Sequence, residues 1–241
     1  MKRGSEEWKM WLPGHLALSF LLCLPLLVML KRERLLALYF VAFFALLPDF
    51  LHLGELRIFA HSLVGLGIMV LTSFAILGAL FRPRPAMYAI GAVAAFGHLL
   101  GDLYIGSVYP FWPWSDTWYH LHLFNSPFDL ATEVMFSSIA LVLMIALFRP
   151  LSLRGTRRLL DRRESRNLYL LGAIVAAMAL LQGGYYALIL YLGGGDILRY
   201  ALLLFFAIPF LYTASLLLPM TFSFDERRAA SGPSSSGLRK L

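Results

Sequence analysis

Long apolar stretches, broken by short polar segments, run through nearly the whole chain. The pattern predicts seven helices, over residues 11–30, 35–53, 60–81, 86–105, 128–148, 167–192 and 196–218. Several of these runs approach or exceed the ~20 apolar residues a helix needs to cross a bilayer. Arg82-Pro83-Arg84-Pro85 makes a tight polar turn between the third and fourth helices. Residues 149–166 read as a basic loop or a short surface helix. The expected fold class is all-α: a polytopic transmembrane helical bundle of about seven helices. An integral membrane helical domain should occupy 1–222. Residues 223–241, Ser/Gly-rich from Ser231 onward, should form a disordered C-terminal tail.

Composition agrees with that reading. Of 241 residues 59% are hydrophobic, and the mean hydropathy is +0.71. Soluble domains sit at roughly 45–50% apolar. The single cysteine, Cys23, excludes an intramolecular disulfide and reads as a small apolar helix residue. Met10–Leu30 has the look of a signal peptide. Lys31-Arg32-Glu33-Arg34 follows it instead of a small-residue cleavage site, so it is expected to be a retained span.

The net charge of +7 does not point to nucleic acid. The basic residues cluster between apolar runs, where lipid headgroups and the positive-inside rule account for them. The segments after helices 1, 3 and 5 and the C-terminal tail carry 16 Lys and Arg, against two (Arg57 and Arg199) in the alternate loops. The basic segments and the C-terminus should therefore be cytoplasmic, in a cell (plasma) membrane. Lys2, Arg3 and Lys9 dissent from this count. This topology puts all six histidines and all five tryptophans on the outer side. The tryptophans read as an interfacial belt, and the histidines as a site.

Two signatures place ionisable groups inside apolar sequence: Leu47-Pro48-Asp49-Phe50-Leu51-His52 and Gly97-His98-Leu99-Leu100-Gly101-Asp102. His98 and Asp102 are i,i+4 and share a helix face, and Asp49 and His52 do so at i,i+3. A charge at mid-bilayer costs about 2.5–3.5 kcal/mol on insertion scales. Imidazole and carboxylate ligands around a divalent cation would offset that cost. His15, His61, His120 and His122 are further candidates on the same side. Asp129 follows Ser126-Pro127 as part of a helix start. Glu133 is an intramembrane carboxylate on the side of the site.

In order, Gly14-His15-Leu16, Leu47-Pro48-Asp49-x-x-His52, His61-Ser62-Leu63 and His98-x-x-x-Asp102, followed by an aromatic stretch from Gly106 to Trp114, resemble the YdjM-like membrane-bound metal-dependent hydrolases. That family's patterns are GHL, LPDxDH, HRGxTHSL and HxxxD. The resemblance covers about residues 14–115, the motif-bearing core. The chain has Leu51 where the family has its second Asp, Leu56 and Ile58 in place of His and Gly, and Ala60 before His61 in place of Thr. The order of His and Asp is also similar, more distantly, to that of zinc-dependent phospholipase C and P1-type nucleases, which implies phosphoester substrates.

The resemblance implies a membrane-embedded metal-dependent hydrolase with its site at the outer membrane interface. The expected metal ligands are His15, Asp49, His61, His98 and Asp102. They suit zinc, with manganese or iron as alternatives, held as one ion or as two sharing a carboxylate. Asp49 or Asp102 could also bridge metals or take a proton, His52 and His120 could donate to a leaving group, and Arg57 could contact an anionic substrate. Expected partners are membrane lipids and a lipid or phosphoester substrate. The rival reading is a non-catalytic metal-binding or metal-transporting membrane protein. Transporters usually place their ligands near the midplane, whereas these sit at helix ends.

Overall fold

The computed structural model describes residues 12–30, 34–50, 55–121, 127–148 and 162–193. These residues form seven helices: α1 (Leu12–Met29), α2 (Arg34–Phe50), α3 (Glu55–Ala60), α4 (Leu63–Phe81), α5 (Pro85–Ile105), α6 (Pro127–Phe148) and α7 (Arg162–Gly193). Among the described residues the fold is all-helical. One antiparallel bridge, Val108 to Tyr119, is its sole β pairing. Six of the predicted helices are present, and the predicted one at 196–218 and the tail lie outside the described residues.

Two boundaries differ from the sequence expectation. The helix predicted from residue 60 opens at Leu63 instead, and a short helix the sequence reading did not place, α3, ends just before it at Ala60. Ser62 causes the break. Its backbone is extended and its Oγ accepts from the Gly65 N–H, so it caps α4. The same hydroxyl donates to the Phe59 carbonyl at 2.8 Å. Gly65 is required there, because a Cβ would run into the Phe59 carbonyl. At the other boundary α7 begins at Arg162, taking up the end of the segment read as a basic loop.

α5 is the centre of the assembly, packed against both α1 and α2, which also pack on each other. α6 lies against α1, α7 against α2, and α4 touches α5 and α2. Small residues make α5 central: Gly91, Ala94, Ala95, Gly97 and Gly101 are all buried along it, which lets backbones approach closely.

The α1–α5 contact sets the register of the site. His15, Ser19, Cys23 and Leu27 recur every four residues on α1, and all are fully buried. They therefore form one stripe. Ser19 Oγ donates to the Ala94 carbonyl at 2.9 Å, and Cys23 Sγ lies 3.5 Å from the Ile90 carbonyl. Each turn along α1 thus matches one turn back along α5. One turn further, the register brings His15 onto His98, and their rings stack with centroids 3.7 Å apart.

Large apolar side chains line the outside. Leu71 and Leu80 on α4, Val142 on α6 and Leu180 on α7 are exposed, while the buried set includes Asp49, Asp102 and Glu133. α4 and α5 are long and apolar enough to cross a membrane. Shorter apolar stretches lie at Gly14–Met29, Leu36–Phe50, Ala131–Met144 and Arg166–Met178.

Candidate metal centre

Four helix ends meet at one end of the assembly: the start of α1, the end of α2, the start of α4 and the end of α5. His15 is in the first turn of α1, and Asp49 is next to last in α2. His61 is in the turn before α4, and His98 and Asp102 are in the last two turns of α5. The five residues predicted as ligands therefore lie together, none more than 5% exposed.

Backbone carbonyls fix two of the rings. His98 Nδ1 lies 2.7 Å from the Ala45 carbonyl, and His61 Nδ1 lies 2.9 Å from the Arg57 carbonyl. A carbonyl can only accept, so each Nδ1 carries its hydrogen. In the neutral ring, Nε2 then presents a lone pair.

The two Nε2 atoms face each other at 3.3 Å. Asp102 Oδ2 is 3.0 Å from His61 Nε2 and 3.4 Å from His98 Nε2. Asp49 Oδ1 is 3.5 Å and 3.7 Å from the same two atoms. Asp102 Oδ1, the other oxygen, is 3.3 Å from His15 Nε2. Both ring nitrogens of His15 and both oxygens of Asp102 are buried outside hydrogen-bonding geometry. With the His61 and His98 rings neutral, their Nε2 lone pairs and the two carboxylates converge on one point, which a cation or a proton must satisfy. The spacing fits a metal ion. Two donors each 2.0–2.1 Å from zinc stand about 3.3–3.4 Å apart at the tetrahedral angle.

Two overlapping triads could hold a metal ion: His15, His98 and Asp102, and Asp49, His61 and His98. They share His98. With Nδ1 engaged by Ala45, that ring has one lone pair, so the two triads cannot each fill with its own ion. The donor set of imidazoles and carboxylates suits a borderline first-row ion and does not identify it.

Without a metal, a proton does the same work. Burial disfavours charge on His61, but the Asp102 carboxylate and then that of Asp49 outweigh it and push its pKa up to about 9. A metal must displace that proton to bind. Zinc affinity should therefore weaken by about tenfold per pH unit as the pH falls below 9. Titrations at pH 6, 7 and 8 check this, and a flat profile would contradict it.

The remaining predicted residues are placed as follows. Arg57 is half-buried in α3, and its main-chain carbonyl holds His61. His120 is exposed and stacks on Trp118, with centroids 4.8 Å apart. It sits in the loop after α5, which is pinned to the rim of the site. Leu63 donates to the Pro110 carbonyl at 3.0 Å, and Leu121 donates to the Leu103 carbonyl at 2.9 Å. His52 and His122 lie outside the described residues. Sequence reasoning singled out Glu133 but assigned it no place in the ligand set. It is buried in the first turns of α6, the helix that packs against α1.

Fold and site together define an all-helical protein with a buried His/Asp cluster that could hold a metal ion. Comparison with protein-family models, curated proteins and solved structures finds no match.

Proposed function

We propose that the protein is a membrane-embedded metal-dependent hydrolase of the YdjM-like kind. Its site lies at the outer interface and acts on a phosphoester or lipid-linked substrate. One observation carries the metal assignment: the Nε2 atoms of His61 and His98, whose rings are fixed by backbone carbonyls, face each other between two buried carboxylates. A divalent ion bound there supplies Lewis acidity and an activated water. One ion per chain is expected, because His98 has a single lone pair to give.

The membrane assignment draws support from buried carboxylates and exposed large apolar side chains. Asp49, Asp102 and Glu133 are buried, while Leu71, Leu80, Val142 and Leu180 are exposed, which water would penalise and lipid would not. α1, with 18 residues, is about 27 Å long at 1.5 Å per residue, close to the ~30 Å hydrocarbon core. Trp114, 78% exposed, and Trp118 stand in the loop at the site end, where an aromatic belt belongs. In this reading Asp49 takes a proton, His52 and His120 serve the leaving group, and the Arg57 guanidinium meets an anionic substrate.

Burial of the cluster favours a second reading, a non-catalytic metal-binding or transporting protein. Metal analysis of the purified protein, a phosphoester and phospholipid hydrolysis screen, and metal uptake into proteoliposomes separate the two. Hydrolysis that requires the metal supports the enzyme. Uptake without hydrolysis overturns it.

Orientation has its own test. Cys23 is buried, so Ser115→Cys gives a specific labelling site in the loop after α5. It should react with an impermeant maleimide from outside intact cells, and a C-terminal reporter should read cytoplasmic. Labelling of Ser115→Cys only after lysis would move the site to the cytoplasmic face.

A further inference from the structure

The two candidate triads share His98, and ring geometry chooses between them. An imidazole nitrogen gives its lone pair in the plane of the ring, so two rings that hold one ion must present edges that converge. His61 and His98 do. Their planes are tilted by 57° with centroids 5.3 Å apart, and their Nε2 atoms face each other at 3.3 Å. His15 and His98 do not. They lie face to face, 14° from parallel, with centroids 3.7 Å apart, which is van der Waals contact between rings. Lone pairs in two such planes run side by side. Over the ~2 Å from nitrogen to a metal ion, a 14° tilt closes only a small part of the gap. This holds for either nitrogen of His15, since both lie in the ring plane.

The outer nitrogens point the same way. Metal-binding histidines almost always donate their second ring N–H to a carboxylate, a carbonyl or water. His61 and His98 do so, through the Arg57 and Ala45 carbonyls. His15 Nδ1 is buried with no hydrogen-bond partner among the described residues. Ligation through Nε2 would force a hydrogen onto that nitrogen and leave the N–H unmet. With the hydrogen on Nε2 instead, Nδ1 is a bare acceptor.

Nε2 has a neighbour suited to that tautomer. Asp102 divides its oxygens. Oδ2 is 3.0 Å from His61 Nε2 and 3.4 Å from His98 Nε2, while Oδ1 is 3.3 Å from His15 Nε2. The contact to His15 is electrostatic, within ion-pair range and outside aligned hydrogen-bonding geometry. Carboxylates that bind a metal are themselves held by an outer shell of partners.

We infer that the ion is held by Asp49, His61, His98 and Asp102 Oδ2, and that His15 is a positioning residue and not a ligand. Its Nε2–H faces Asp102 Oδ1 and keeps Oδ2 turned to the ion, and its ring backs that of His98. α1 joins the centre through Asp102. The inner set is then two imidazoles and two carboxylates, one imidazole fewer than the sequence implies.

The inference rests on the metal-site reading, and its test separates the two. Cobalt(II) is titrated into the full-length protein in detergent, its affinity is measured, and proton NMR spectra are recorded in water. Each coordinated imidazole gives one strongly shifted, exchangeable N–H signal. The parent should show two, from His61 and His98, whose N–H groups are held by carbonyls. His15→Gln keeps an N–H donor for Asp102 but has no imidazole. It should retain both signals and bind within about tenfold of the parent. His15→Phe keeps a flat ring against His98 and removes the donor. It should lose about 10–100-fold in affinity and bind more weakly than His15→Gln, with two signals still. A ring needed only for packing would make Phe the better substitute. Three signals in the parent, a signal lost in His15→Gln, or binding by His15→Phe as tight as by His15→Gln overturns the inference alone. Should His15→Phe fail to fold, the signal counts of the parent and His15→Gln still decide. A parent that binds no cobalt overturns the metal site and the inference with it.

Discussion

Asp102→Asn will cost the protein most of its bound metal, weakening zinc affinity by at least about 100-fold, beyond what loss of an outer-shell partner costs. Asp102 is the hub of the cluster. One oxygen faces His15 at 3.3 Å, and the other faces His61 at 3.0 Å and His98 at 3.4 Å. Asparagine has nearly the same shape but no charge, and its NH2 would point donors at lone pairs meant for a cation. The fold should survive, because without Asp102 the buried imidazoles can give up the proton it stabilised and so leave no uncompensated charge. The change therefore separates metal binding from folding. His120→Ala, in the exposed loop, should retain its metal. Metal content of the two purified variants is the measurement, and parent-level zinc in Asp102→Asn would sink the site.

The helix ends of this site were legible because apolar runs can be counted. Once the runs alternate in direction, the start of α1, the end of α2, the start of α4 and the end of α5 must share one side. The i,i+4 spacing of His98 and Asp102 was equally direct, and the two side chains do meet at 3.4 Å. What sequence could not reveal was how the rings are held. Ala45 and Arg57 act through main-chain carbonyls, which carry no side-chain signature. Sequence reasoning gave Arg57 a role for its guanidinium, and the structure adds the hydrogen bond from His61 to its carbonyl. The break at His61-Ser62 did have a signal. Ser62 is a good N-cap, yet apolar residues also precede it, so pattern alone starts the helix at residue 60 and leaves α3 unplaced. Glu133 was visible as an intramembrane carboxylate, but only the fold shows that its helix, α6, packs on α1, which carries His15.

That dependence on long-range packing leads to the last expected effect. The cluster ties α1, α2, α5 and the turn before α4 together at one end of the assembly. An ion bound there cross-links them and has no comparable site in the unfolded chain. Binding then stabilises the fold by RT ln(1 + [L]/Kd), about 4 kcal/mol when free zinc is 1,000 times Kd. For a chain of this size each kcal/mol moves the melting temperature by roughly 2–4 °C. Chelation should therefore lower the Tm by on the order of 10 °C, and zinc should restore it. Asp102→Asn should melt at the same temperature with zinc and with chelator, since it has little ion to lose. Thermal melts of both proteins in both conditions decide the matter. A parent whose Tm ignores the chelator, while analysis shows the metal gone, would mean that the ion does not join these helices. The cluster would then be held by the proton on His61 instead.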